Sequence, residues 1–148
     1  MKQMLNSAIV LAARHHDGQF DKSGMPYIMH VMKVMHYTKS TDEVVMCVAV
    51  LHDVVEDTSV TFDDLYDAGM TSEVVDAVRL LTKVPGQKNE EYLAGILTNE
   101  IAMIVKMADL RHNMDIRRLK GISEKDMKRL EKYAKMYTII EQKMNSVF

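Results

Sequence analysis

Apolar positions recur along most of the chain at the three- and four-residue spacing of a helix, and no stretch alternates as a strand would. The first such pattern predicts a helix over residues 3–16, ending at the turn Asp17-Gly18. A polar loop, "GQFDKSGMP", leads to Pro26, which suits the first turn of a second helix over "YIMHVMKVMHYTK". Thr41 and Asp42 can cap a third helix that runs from about Glu43 into the "EDT" stretch. Thr61 caps a short helix, "FDDLYDAG", and Thr71 caps "SEVVDAVRLLT". "VPGQKNE" reads as a loop, and helices follow over residues 90–97 and 100–119. Ser123 opens the last helix, where Met127, Leu130, Ala134, Tyr137, Ile140 and Met144 form one apolar stripe. The expectation is an all-α fold, a single helical domain of about seven or eight helices spanning residues 1–148.

Polar residues interrupt three of these helices where burial is expected. Between Val44 and Val55 nothing is polar except His52 and Asp53, and Glu56 and Asp57 follow at once. His30 lies inside "YIMHVMKVM", and Asp109 follows "IAMIVKMA". A lone core histidine is more often hydrogen-bonded than metal-bound, and a lone aspartate often caps a helix. Together, however, the three helices supply two imidazoles and two carboxylates, a set that suits a divalent first-row metal such as Mn, Fe, Co or Ni. A cation would also offset the several kcal/mol of hydration that buried carboxylates lose. Glu56 lies four residues after His52, Asp57 four after Asp53 and Asn113 four after Asp109, each one helical turn from a candidate ligand. Carboxylates so placed can take a proton from a water or give one to a leaving group.

Composition narrows the class. The chain has 148 residues, 47% of them hydrophobic and 27% charged, which suits one domain with a sizeable core. A formal net charge of −2 gives no basic field to attract nucleic acid or a membrane. Cys47 is the single cysteine, so no disulfide framework exists and a reducing, cytoplasmic setting is expected. The first apolar run, Ile9 to Ala13, is too short for a secretory or membrane-spanning segment. The basic run around Lys125, Lys128, Arg129, Lys132 and Lys135 alternates with Glu131 and reads as a solvated face.

Three stretches, "HDGQFDKSGMPYIMH", "LHDVVEDTSVTFDDL" and "VKMADLRHNM", give the chain a family resemblance. In this order they resemble the HD-domain metal-dependent phosphohydrolases, and within them the alarmone hydrolases of the RelA/SpoT type, including small stand-alone ones. The resemblance extends from about Ala8 to Tyr137. It implies His30, His52, Asp53 and Asp109 as ligands of one Mn²⁺, with Glu56 and Asp57 activating water and handling protons at the scissile phosphate. It implies Lys22, Ser23 and Asn113 as nucleotide contacts. The implied reaction is hydrolysis of the 3′-pyrophosphate of guanosine tetra- or pentaphosphate to GDP or GTP and pyrophosphate. No second domain is expected after Phe148, and a homodimer is left open.

Two departures from the family pattern bear on substrate. Asp21 precedes Lys22 where the family usually has arginine, which is expected to weaken attraction for a polyphosphate. Leu110 and Arg111 are exchanged relative to the usual order, so Arg111 is rotated by about 100° around the helix. A phosphohydrolase acting on another phosphorylated nucleotide is therefore a second reading. A non-catalytic nucleotide-binding module is a third, and Glu56 with Asp57 speaks against it, because binding alone needs no proton-transfer pair.

Overall fold

In the computed structural model, which describes residues 3–147, the chain forms nine α-helices among the described residues and no strand. The ends of the expected 1–148 domain at Met1, Lys2 and Phe148 lie outside the described residues. The helices are α1 (Gln3–His15), α2 (Tyr27–Tyr37), α3 (Glu43–Leu51), α4 (Val54–Asp57) and α5 (Phe62–Asp67). They continue with α6 (Ser72–Leu81), α7 (Asn89–Ile96), α8 (Glu100–Asn113) and α9 (Glu124–Val147), with a 3₁₀ turn, Ile116–Arg118, between the last two. The all-α expectation holds, and the count exceeds eight because α4 is a single turn split from α3. No helix of the described residues is long and apolar enough to cross a membrane.

The centre of the domain is α3. Val45 and every residue from Cys47 to Leu51 are buried, so the helix is apolar on all sides and must be surrounded. It packs against α1, α2, α6 and α8, while α9 lies along α8. Each fully buried valine or leucine here contributes roughly 1.5–3 kcal/mol relative to exposure. Starts of helices follow the sequence signals: Asp42 accepts from Val44 N at 2.9 Å, and Thr61 with Asp64 forms a reciprocal capping box. Thr71 stands at its N-cap position without a side-chain capping bond.

Three expected boundaries are corrected. The third helix stops at Leu51 instead of continuing into "EDT", and His52 and Asp53 form the turn before α4. Adjacent residues on one continuous helix point about 100° apart. The break removes that constraint and lets both side chains turn to one site. The helix expected to reach Leu119 ends at Asn113, where the Arg118 guanidinium folds back to donate to His112 O at 2.9 Å. That bond adds to the one the same carbonyl accepts from Asp115 N at 3.2 Å. On α9 the buried face is also shifted: Ile140 is buried while Met127 is 62% exposed and Ala134 is exposed. Tyr133 and Met136 take their places against the core.

Candidate metal centre and adjoining cavity

The α2, α3–α4 and α8 segments deliver His30, His52, Asp53 and Asp109 to one point, with one candidate ligand atom from each lying within 4.8 Å of the others. His30 Nε2 is 3.0 Å from Asp109 Oδ1, and His52 Nε2 is 3.0 Å from Asp53 Oδ2 and 3.3 Å from Asp109 Oδ1. Both imidazoles and Asp109 are buried, and Asp53 is half-buried.

The tautomers suit a cation. His52 Nδ1 donates to Ala49 O at 2.6 Å, so a neutral ring carries its lone pair on Nε2. That atom is buried, and despite its nearness to two carboxylates it has no aligned hydrogen-bond partner. Two carboxylates converging on this nitrogen without an aligned hydrogen bond to it are, with His30, a donor set for a divalent ion. His30 Nδ1 lies 2.7 Å from His112 Nδ1. Burial, with Arg118 and His30 nearby, lowers the His112 pKa to about 4, so its ring is neutral and its Nδ1 can accept. His30 Nε2 is hydrogen-bonded to Asp109 Oδ1 at 3.0 Å, a contact that a bound metal would replace.

A second ring of groups holds the carboxylates. The Tyr27 hydroxyl donates to Asp53 Oδ2. Lys106 Nζ binds Asp109 Oδ2 at 3.0 Å, and Asn113 Nδ2 donates to Asp109 Oδ1 at 3.0 Å. Burial pushes Asp109 toward the neutral acid, but Lys106 and His52 overcome it and hold its pKa well below the usual carboxylate range. Lys106 also leaves only one oxygen of Asp109 facing the cluster without a charged partner of its own. Sequence reasoning passed over Tyr27 and Lys106, while His112, expected to pack or hydrogen-bond, does bond to His30. Each lies three residues from a candidate ligand, and that one-turn spacing was the available signal.

Glu56 and Asp57 stand exposed on α4 beside this cluster. Glu56 Oε1 accepts from Lys83 N at 2.7 Å, tying α4 to the segment after α6. Gln19 ties it to the α1–α2 loop, donating to Asp57 O at 3.0 Å while its Oε1 meets His16 Nδ1 at 2.8 Å. Desolvation, with the Asp53 and Glu56 charges nearby, raises the Asp57 pKa to about 6.

A cavity of about 260 Å³ adjoins the cluster at Tyr27 and His30 and is lined by Lys22, Ser23 and Asn113. Both ends of the Asn113 amide are engaged, Nδ2 with Asp109 and Oδ1 with Arg118 at 3.3 Å. Asp21 does not present a bare anion to this cavity. Its Oδ1 accepts from Ser23 N, Ser23 Oγ and Met25 N at 2.9, 2.6 and 3.0 Å, and its Oδ2 pairs with Arg118 at 2.7 Å. Gly24, at φ +85°, allows the tight loop that these bonds organise. Burial opposes the Asp21 charge, yet the Ser23 and Arg118 partners hold its pKa at about 2. Arg111 points elsewhere and lies over the Tyr37 ring, 4.4 Å from its centroid. Arg129 departs from the solvated face expected of its basic run: it lines the cavity and pairs with Asp126 at 3.5 Å.

This helical fold, with its His/Asp cluster, is that of an HD domain. The HD domain family matches residues 8–114, and the chain belongs to that family. Among curated proteins it is similar to a guanosine-3′,5′-bis(diphosphate) 3′-pyrophosphohydrolase of Haemophilus influenzae, 34% identical over 118 residues. That alignment covers 71% of this chain and 17% of the relative. The bifunctional (p)ppGpp synthase/hydrolase SpoT of Escherichia coli is 32% identical over 123 residues, covering 74% and 17%. The GTP pyrophosphokinase of Myxococcus xanthus is 31% identical over 142 residues, covering 86% and 18%. The chain thus spans about a sixth of the length of these curated relatives. A solved structure described as a metazoan ortholog of SpoT that hydrolyzes ppGpp shares the fold. Its TM-score is 0.78 at 24% identity, with 99% of this chain and 94% of that one covered.

Proposed function

We propose that this chain is a divalent-metal phosphohydrolase that removes the 3′-pyrophosphate of guanosine tetra- or pentaphosphate, with Mn²⁺ held by His30, His52, Asp53 and Asp109. The observation that carries the reading is the buried His52 Nε2, without a hydrogen-bond partner, gathered with His30 and two carboxylates beside a cavity lined by Lys22, Ser23 and Asn113. The activities named for the bacterial relatives agree with it. When bound, the metal supplies Lewis acidity, polarising a phosphoryl oxygen and easing deprotonation of water.

The residues divide the remaining work. A carboxylate with a pKa of about 6 is largely ionised at neutral pH and still basic enough to accept a proton, so Asp57 takes one from the attacking water. The water oxygen bonds to the phosphorus carried on the 3′ oxygen, and the bond from that phosphorus to the 3′ oxygen breaks. The 3′ oxygen leaves as a hydroxyl after receiving a proton. Glu56 handles that proton with the oxygen it does not spend on Lys83 N. Lys22 binds phosphate oxygens, Ser23 contacts the nucleotide, and Asn113 braces Asp109. GDP and pyrophosphate result from the tetraphosphate.

The test is incubation of Mn²⁺-supplemented protein with guanosine tetraphosphate, alongside Glu56→Gln and Asp57→Asn, with nucleotides separated by anion exchange. GDP and pyrophosphate are expected from the parent, with loss of about 100-fold or more in each variant. Intact tetraphosphate, with metal bound, removes this substrate.

A further inference from the structure

Arg118 occupies an unusual place in the cavity wall. Of the five N–H donors of a guanidinium, both on Nη1 are spent, on His112 O at 2.9 Å and Asn113 Oδ1 at 3.3 Å. Nη2 donates to Asp21 Oδ2 at 2.7 Å, across a separation of 97 positions. The plane is therefore pinned between the α1–α2 loop and the end of α8, and its side chain is 20% exposed at the cavity. The same cavity also presents carbon from Phe20, Leu119, Leu130 and the ring of Tyr133.

A guanidinium in this state is a poor grip for phosphate, because its charge is offset at contact distance and its donors are mostly used. What remains is a flat, weakly hydrated face, and such a face stacks on planar π systems. We infer that the Asp21-held guanidinium of Arg118 is the platform on which the substrate's nucleobase stacks, which makes Arg118 a specificity-determining residue and Asp21 its positioning residue. The inference rests on the nucleotide phosphohydrolase reading and adds where the base lies and what reads it. Asp21 holds a guanidinium that comes from the 3₁₀ turn between α8 and α9.

The experiment is calorimetric binding of GDP and of inorganic pyrophosphate to Mn²⁺-loaded parent, Arg118→Met and Arg118→Lys. Both variants lose the planar face, and the second keeps the charge. GDP affinity is expected to fall about tenfold in both, as loss of one stacking contact does. Pyrophosphate affinity is expected to stay within about twofold, which also reports that the variants are folded. Equal losses for both ligands, restored by lysine, would make Arg118 a phosphate contact and overturn the inference. Unchanged GDP binding in Arg118→Met overturns it as well, as does a loaded parent that binds neither ligand. A parent that binds GDP in the expected pattern but leaves guanosine tetraphosphate intact keeps this inference and removes only the proposed substrate.

Discussion

The Nδ1 atoms of His30 and His112 lie 2.7 Å apart, a distance that requires one proton between them. His112 is neutral down to about pH 4, and the His30 ring is oriented by an imidazole in place of the more common carboxylate or carbonyl. His112→Ala should weaken Mn²⁺ binding by about 10–100-fold while leaving the helical circular dichroism unchanged. Chelator competition measures it, and an unchanged dissociation constant would mean the contact is incidental.

Lys106 gives a second handle on the cluster. Its ammonium lies 3.0 Å from Asp109 Oδ2 with both side chains largely buried. Removing one partner of a buried pair costs about 3 kcal/mol or more. Lys106→Met should therefore destabilise metal-free protein by roughly that amount. The loss should shrink on Mn²⁺ loading, when the ion supplies the missing charge. Urea titrations with chelator and with Mn²⁺ compare the two, and an equal loss in both would detach Lys106 from the metal centre.

How far the sequence discloses this site can be judged from particular residues. Ionisable residues in "VAVLHDVV", "YIMHVMKVM" and after "IAMIVKMA" mark three buried segments, because hydrophobic periodicity reveals what must be inside. The meeting of four side chains within 4.8 Å was an inference from their chemistry, since periodicity fixes a face but not which faces meet. The break after Leu51 was missed: "VLHDVVED" contains neither glycine nor proline, and the turn is made by tertiary packing of an otherwise helical sequence. Asp21 was legible as an acid in a place usually basic, but its partner lies 97 residues away and no local rule finds it.

That pairing reverses the expected outcome of one substitution. Read alone, Asp21→Arg would restore attraction for polyphosphate. In the fold it sets two guanidinium groups against each other and removes the oxygen that accepts three loop hydrogen bonds. The variant should lower both melting temperature and GDP affinity. Combining it with Arg118→Asp should recover part of the loss, with a coupling of about 1–3 kcal/mol between the positions. Improved turnover by the single variant would contradict the pairing.

The pH dependence of metal uptake follows from His52. Burial disfavours its charge, but Asp53 and Asp109 overcome this and raise its pKa well above 6.5 in the metal-free protein. A raised histidine pKa gives stability that is complete below the unfolded value and is lost as pH rises through the folded one. Ligation requires Nε2 to be bare, so binding near neutral pH should release a proton, and affinity should rise by up to about tenfold per pH unit. Calorimetry in buffers of different ionisation heat counts that proton. Uptake without release would place the ion elsewhere.

The central claim is a hydrolase run by one ion in the His30, His52, Asp53 and Asp109 cluster. Its most direct test is titration of metal-free protein with Mn²⁺ while GDP release from guanosine tetraphosphate is followed. Turnover should be absent at the start, rise linearly and reach a plateau at one ion per chain, with pyrophosphate formed in equal amount. His52→Ala should stay inactive under the same titration. Full activity before any ion is added, or a plateau only at two ions per chain, would contradict it.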